Sequence, residues 1–302
     1  GDFFDTWQWP MDVTPTSLPE VIRARHEPVI DAVRAARGAV ENIFYVNGNH
    51  DMDVTQKELD AIFGKDSTGK GIVTWIPEYR TGRLLAEHGS RFAMFNAQDR
   101  MHDPKDGLPL GYFITRLLSS GNVSYDTPGA VLGYVDDLLE AAFTTQTLAE
   151  SVIEALAERV GVASDATFRM PGGRPNLTVA QVQRKYAPLF TRWTEKFGHR
   201  YAMRAIAGEA GGLGWFADRL CERHGYKVVV LGHTHDHAID EDKYFLAGGR
   251  VYANTGFWCP AVVDGRVRER ATFVDVDKRD STYAVSVRAC TDEVTELRRH
   301  VV

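Results

Sequence analysis

The feature that most constrains this chain is the position of its polar motifs, each of which follows directly on a short apolar, β-branched run. Ala39 to Val46 ends at Asn47-Gly48-Asn49-His50-Asp51, and Lys227 to Leu231 ends at Gly232-His233-Thr234-His235. Leu84 to Ala86 gives way to Glu87-His88-Gly89, and Arg250 to Ala253 gives way to Asn254-Thr255-Gly256. Short runs of this type read as buried strands. In layered α/β folds the loops leaving strand ends converge and form ligand sites. A chain organised this way is expected to carry its chemistry at one end of a sheet.

Between these strands the sequence turns helical. Residues from Glu20 to Arg37 and from Thr55 to Phe63 have helical composition, while Ile72 to Ile76 reads as a strand closed by Pro77. From residue 96 to 214 the rhythm changes. Val182, Tyr186, Leu189, Trp193, Phe197 and Tyr201 recur at steps of three and four, as do Leu148, Val152, Leu156 and Val160. That is the spacing of amphipathic helices, and the aromatic stripe is expected to pack into a core. Pro188 is expected to kink or split the longer helix, and Pro171 to Pro175 reads as a loop. Phe273 to Val276 and Tyr283 to Val287 alternate like half-buried antiparallel strands. The predicted organisation is α/β: a first core part at 1–95, a helical insertion or cap at 96–214 almost without strand, and a second core part at 215–302.

Composition excludes several function classes. The 302 residues carry a net charge of −6, so no general basic field draws in nucleic acid. No stretch reaches the ~18 apolar residues of a membrane span. Cys221, Cys259 and Cys290 are too few and too scattered for a disulfide framework or a zinc ribbon, and a cytoplasmic setting is expected.

The strand-end residues Asp2, Asn49, His50, Asp51, His88, His233 and His235 are oxygen and imidazole donors, the set that suits divalent transition metals. No thiolate stands among them, which disfavours a structural zinc site. His233 and His235 are two apart at a strand end, where alternate residues point the same way, so both rings can face one pocket. Arg91 and Asn96 follow His88-Gly89 closely and are candidate contacts for phosphate oxygens. His237 reads as an outer or surface residue and His102 as a loop residue; His26, His199, His224 and His300 read as solvated.

Taken in order, Gly1-Asp2-x-x-Asp5, Gly48-Asn49-His50-Asp51, His88-Gly89 and Gly232-His233-Thr234-His235 resemble the calcineurin-like metallophosphoesterase signature. Asn254-Thr255-Gly256 resembles the Asn-Thr-Gly-Ser segment that often follows the last histidine pair. The resemblance implies a four-layer αββα sandwich of mixed sheets. It also implies hydrolysis of a small phosphodiester or phosphomonoester at two divalent metal ions, manganese first, or iron or zinc. Asp2 would bridge both metals, Asn49, His88 and His233 would hold the second, and His235 would complete the first. His50 resembles the protonated histidine that assists the leaving oxygen. Asp51, its neighbour, is placed to orient that imidazole, and Asp5 reads as an outer hydrogen-bond acceptor.

The resemblance departs at two points. The family's opening Asp-x-His, at the end of the first strand, is missing, and that strand is expected upstream of residue 1 or on a separate fragment. Its removal from a sheet interior would strand backbone groups at ~1–3 kcal/mol each. Gly1 to Trp7 resembles the opening of the UDP-diacylglucosamine pyrophosphatase branch, which also carries a helical insertion but typically has Arg at the place of His50. Two alternatives stand beside a small phosphoester hydrolase. One is a nuclease of the DNA-repair type, disfavoured by the acidic charge; the other is a non-catalytic scaffold with half a metal site.

Overall fold

The computed structural model describes residues 1–98, 107–121, 148–210, 212–240, 249–256, 262–263, 266–267, 271–290 and 293–302. Helices α1 (Leu18–Arg25) and α2 (Glu27–Ala39) precede strand β1 (Phe44–Val46). Helix α3 (Gln56–Phe63) and strands β2 (Thr74–Ile76), β3 (Tyr79–Thr81) and β4 (Leu84–Ala86) follow. The middle of the chain holds α4 (Leu110–Ser120), α5 (Leu148–Arg159), the hairpin β5 (Thr167–Phe168) and β6 (Leu177–Thr178), then α6 (Val179–Tyr186) and α7 (Leu189–Phe197). After α8 (His199–Ala207) and α9 (Gly214–His224) come β7 (Val228–Leu231), β8 (Ala238–Asp240), β9 (Val251–Asn254), β10 (Val262–Val263) and β11 (Arg266–Val267). The chain closes with β12 (Ala271–Arg279), β13 (Thr282–Cys290) and β14 (Val294–Val301).

The organising sheet has the order β3-β4-β7-β9-β8, with β4, β7 and β9 parallel and β3 and β8 antiparallel at its edges. Because side chains alternate along a strand, its residues divide between two cores. Leu85, Val229, Leu231 and Tyr252 face the helices. Leu84, Val228, Val230, Val251 and Ala253 meet Tyr283, Val285 and Val287 of the antiparallel sheet β12-β13-β14. A strand buried on both faces must be apolar throughout, which is why Val228–Leu231 is an unbroken aliphatic run. Helix layer, sheet and sheet make an α/β sandwich. β1 and β2 form a separate parallel pair. Tyr45 of β1 and Val73, just before β2, pack with α1–α3 in a third cluster around Phe4, Ile30, Leu59, Ile62 and Phe63.

The helix-side core runs without interruption from the sheet into the middle of the chain, including Phe113, Leu117, Ile153, Leu156, Val182, Tyr186 and Ile206. The described helices between residues 107 and 214 thus share one core with the strands. Among the described residues, no helix is long and apolar enough to cross a membrane.

Several elements differ from the expectation, each for a local reason. The Glu20 to Arg37 segment divides at His26, because Pro28 occupies the first turn of a new helix, where its missing N–H costs no bond. That helix runs through the alanine-rich stretch to Ala39, so β1 starts only at Phe44. Pro188 splits the aromatic stripe as expected, but Gly198 (φ +86°) adds a second break, so the stripe spans three helices. Val182, Tyr186 and Leu189 are buried, whereas Phe197 stays 43% exposed. A hairpin, β5–β6, stands inside the helical block around the 171–175 loop. Strand β14 escaped notice because it is an exposed edge with Glu296, Arg298 and Arg299 breaking any apolar alternation.

Candidate metal centre

Parallel strands β4, β7 and β9 end side by side, so the loops at His88, His233 and Thr255 leave the same edge of the sheet. Asp2 reaches them from the chain's opening loop. Gly1 and Gly48 make this approach possible: a Cβ on Gly48 would lie 1.9 Å from Asp2 Oδ1, and one on Gly1 would lie 2.4 Å from Gly48 N. Four described non-glycine residues have positive φ, and three of them are Asp2 (55°), His233 (72°) and His235 (61°). Backbone held in this sparsely populated region clusters at functional sites, where surrounding structure over-determines it. Here Asn254 provides part of that restraint. Its amide donates to Gly232 O at 2.9 Å and to Thr234 Oγ1 at 3.0 Å, gripping the histidine turn from β9.

The donor atoms converge. Among the described residues, Asp2, His88 and His233 each offer one ligand atom, all within 4.8 Å of one another. His88 Nε2 lies 3.0 Å from Asp2 Oδ2 and 3.0 Å from Asn49 Oδ1. His233 Nδ1 lies 3.1 Å from the same Asn49 oxygen. Separations of this size match neighbouring ligands at ~90° around an ion with bonds of ~2.1–2.2 Å. The charge states suit an ion as well. Burial holds His88 down at about 4 despite the adjacent Asp2, so at neutral pH it is an uncharged ligand. The surrounding imidazoles overcome burial to keep Asp2 well below the usual carboxylate range, hence ionised. His233 Nε2 is buried without a hydrogen-bond partner. These residues fit a divalent cation.

His50 stands beside this cluster with its backbone N donating to Asp2 Oδ1 at 2.8 Å. Its ring is stacked on Trp7, with centroids 4.3 Å apart and planes at 23°. Nδ1 lies 3.0 Å from Asp5 Oδ1, which also accepts from Trp7 N at 3.0 Å. Burial pulls the His50 pKa down, but the Asp5 hydrogen bond and the charges of Asp5, Asp2 and Asp51 outweigh it, and the net shift is upward. The carboxylate that meets this imidazole is therefore Asp5, in place of the Asp51 anticipated from adjacency. Asp51 is fully buried and turned the other way. It accepts from Gly48 N at 2.6 Å, from Phe3 N at 3.0 Å and from the Tyr45 hydroxyl, so it shapes the loop that carries Asn49 and His50.

Asn96 also differs from expectation. Its Oδ1 accepts from Asn49 Nδ2 at 2.9 Å and its Nδ2 donates to Glu209 Oε2 at 2.6 Å, so it buttresses Asn49 and has no amide atom turned to a phosphate. Arg91 is half exposed and engaged by Glu87 through two contacts of 2.7 Å. His235 lies outside the tight cluster and is exposed. It lines a cleft of about 550 Å³ with Asp2, His50, His233, Phe44, Val46, Val230 and Phe273. His237 is exposed; His102 lies outside the described residues.

Two residues escaped sequence reasoning. Glu209 is one. The other is Arg116, fully buried and hydrogen-bonded to the carbonyls of Trp9 (3.2 Å), Pro10 (2.8 Å), Met11 (3.1 Å), Val13 (2.6 Å) and Arg169 (2.7 Å) and to the Tyr112 hydroxyl (3.0 Å). It clamps the segment that follows Asp5 and Trp7 onto α4. A lone Arg within the apolar run Leu110 to Leu118 is the one signal that pointed to it.

No family model and no curated protein matches this chain. Among solved structures, a doubly substituted Vps29 from Entamoeba histolytica is 18% identical over 28% of this chain and 45% of its own, with a TM-score of 0.22. Vps29 from Cryptosporidium parvum is 17% identical over 30% of this chain and 43% of its own, also at 0.22. The chain thus spans less than half the length of these matches, and at such values the likeness assigns neither family nor activity.

Proposed function

We propose that this chain is a metal-dependent phosphoester hydrolase of the calcineurin-like metallophosphoesterase type, with two divalent ions, manganese first. The observation that carries this reading is the convergence of Asp2, Asn49, His88 and His233 beside His50, an imidazole held toward its protonated form. Bound cations would supply Lewis-acid polarisation of the phosphoryl group and lower the pKa of a water nucleophile. Asp2 and Asn49 would hold the ions through oxygen, and His88, His233 and His235 through nitrogen. His50 would bind a phosphoryl oxygen and give its proton to the departing alkoxide. Asp5 holds the imidazolium through Nδ1 and Trp7 covers one ring face, so the transferable proton sits on Nε2.

A second cleft of about 430 Å³ adjoins Asn49 and His88 and would receive the rest of the ester. Its walls include Trp75 and Arg91 from the first part of the chain and Arg192, Trp193 and Lys196 of α7. This supports a role for the 96–214 insertion in choosing the substrate.

Hydrolysis of bis-p-nitrophenyl phosphate and p-nitrophenyl phosphate with Mn²⁺ tests the reading. Metal-dependent release of nitrophenol, lost in His50→Ala with metal still bound, is the expected result. Metal-loaded protein that turns over no phosphoester, with Mn²⁺, Fe²⁺ or Zn²⁺, would overturn it.

A further inference from the structure

We infer that Glu209, a carboxylate from the helical insertion, is the positioning residue that decides which atoms of Asn49 and His233 face the metal. The inference rests on the metal-centre reading above and extends it to a residue outside the motif set. Glu209 sits in the single 3₁₀ turn between α8 and α9, with its side chain 7% exposed. Oε1 accepts from Phe95 N, and Oε2 accepts from Asn96 Nδ2 at 2.6 Å. Among the described residues, the ionisable base facing it is His233, whose Nε2 lies 3.8 Å from Oε2.

An ionised carboxylate accepts hydrogen bonds and donates none. Asn96 must therefore turn its NH₂ to Glu209 and its oxygen to Asn49. Asn49 must in turn present its NH₂ to Asn96, at 2.9 Å, which leaves Oδ1 aimed at His88 and His233. Reversing either amide would set like groups against each other. The same carboxylate settles the imidazole. Nε2 of His233 has no hydrogen-bond partner and faces an acceptor, so its proton belongs there and the lone pair belongs on Nδ1. Nδ1 and Asn49 Oδ1 then bring two lone pairs to 3.1 Å, an arrangement that repels by itself and is relieved by a cation between them. Closing 3.8 Å to a hydrogen bond would complete the carboxylate–histidine–metal arrangement in which an outer carboxylate fixes tautomer and ring orientation.

The test substitutes Glu209→Gln, nearly isosteric but able to donate, so that the amide chain and the tautomer lose their imposed direction. Binding of Co²⁺ to the full chain is followed by calorimetry and by the visible ligand-field bands. Relative to the unchanged protein, E209Q should bind Co²⁺ about 10–100-fold more weakly and show altered bands. Asn96→Ala, which keeps Glu209 but removes the link to Asn49, should shift both in the same direction by less, and it reports on the relay if E209Q does not fold. Affinities within about twofold of the unchanged protein, with identical bands, in whichever variants fold would overturn the inference while leaving the metal centre standing. An unchanged protein that binds no Co²⁺, Mn²⁺ or Zn²⁺ would sink the metal-centre reading and this inference together.

Discussion

Asn49, His88 and His233 bond one another and Asn96, which is itself held by Glu209, and His233 Nε2 is the buried atom among them left without a hydrogen-bond partner. His50 and His235 line an open cleft, where the His50 ring is held by Asp5 and Trp7 of the chain's first seven residues. The first half of the site rests on a core that runs unbroken from the sheet into helices α4 to α9. The second half depends on a loop, tied down by Arg116 and Asp51. Rigidity in one half and adaptability in the other is a workable division, because ligand atoms tolerate little misplacement.

The sharpest way to break the comparison is at Asp2, where both halves meet. Asp2→Asn keeps the shape and removes the charge, and it should weaken metal binding by more than the ~100-fold seen for outer-shell changes. Retained stoichiometric Mn²⁺ by elemental analysis would contradict the assignment. His50→Gln should lower kcat by ~10²–10⁴-fold with Mn²⁺ affinity held within about twofold. A large affinity loss there would merge the two halves into one. Asp5→Asn refines the same point through pH. An acid that must be protonated loses activity as pH rises through its pKa, and Asp5 raises that pKa. Removing the charge should therefore move the alkaline limb of the kcat profile to lower pH.

Stability offers smaller effects. Arg116→Met leaves the carbonyls around Trp9 to Val13 without their donor, at ~1–3 kcal/mol for each that stays buried. We expect a loss of about 4 kcal/mol in denaturant unfolding and, with it, a looser His50. The sign for His88 follows from its low pKa in the fold, about 4 against an ordinary 6.5. Between those values the unfolded chain takes up a proton that the folded one refuses, so stability is intact above about pH 6.5 and falls as pH drops toward 4. The loss is about 3 kcal/mol in metal-free protein, and His88→Gln should flatten the curve. Arg91→Ala should change stability by less than about 1 kcal/mol, as expected of an exposed ion pair, and raise KM more than it lowers kcat. An unchanged KM would remove Arg91 from the substrate cleft.

Much of this site is legible in the chain because metal ligands must leave strand ends, and strand ends announce themselves as apolar runs that stop. Asn49, His50, His88 and the His233/His235 pair stand out on that ground, as does the α/β rhythm, whereas Asp2, with no apolar run before it, stands out through the motif resemblance. Helix boundaries were harder: the break at Pro188 was legible, but those at Pro28 and Gly198 fall where periodicity alone suggests one continuing element.

What the chain could not announce is who touches whom. Asp51 adjoins His50 in sequence, yet Asp5, 45 residues earlier, meets its ring, because the buried Asp51 is drawn to Gly48 N of its own loop, to Phe3 N of the opening segment and to the Tyr45 hydroxyl of β1. Asn96 looks like a phosphate contact until Glu209, 113 residues further on, claims its amide. Such pairings leave no periodic trace, since they are set by how the helical layer closes on the sheet. The sequence by itself determined which side chains could hold a metal and where the strands would put them. Tertiary packing decided which of them meet, the direction of the Asn49 and Asn96 amides and the low pKa of His88, because those depend on buried partners brought together from distant parts of the chain.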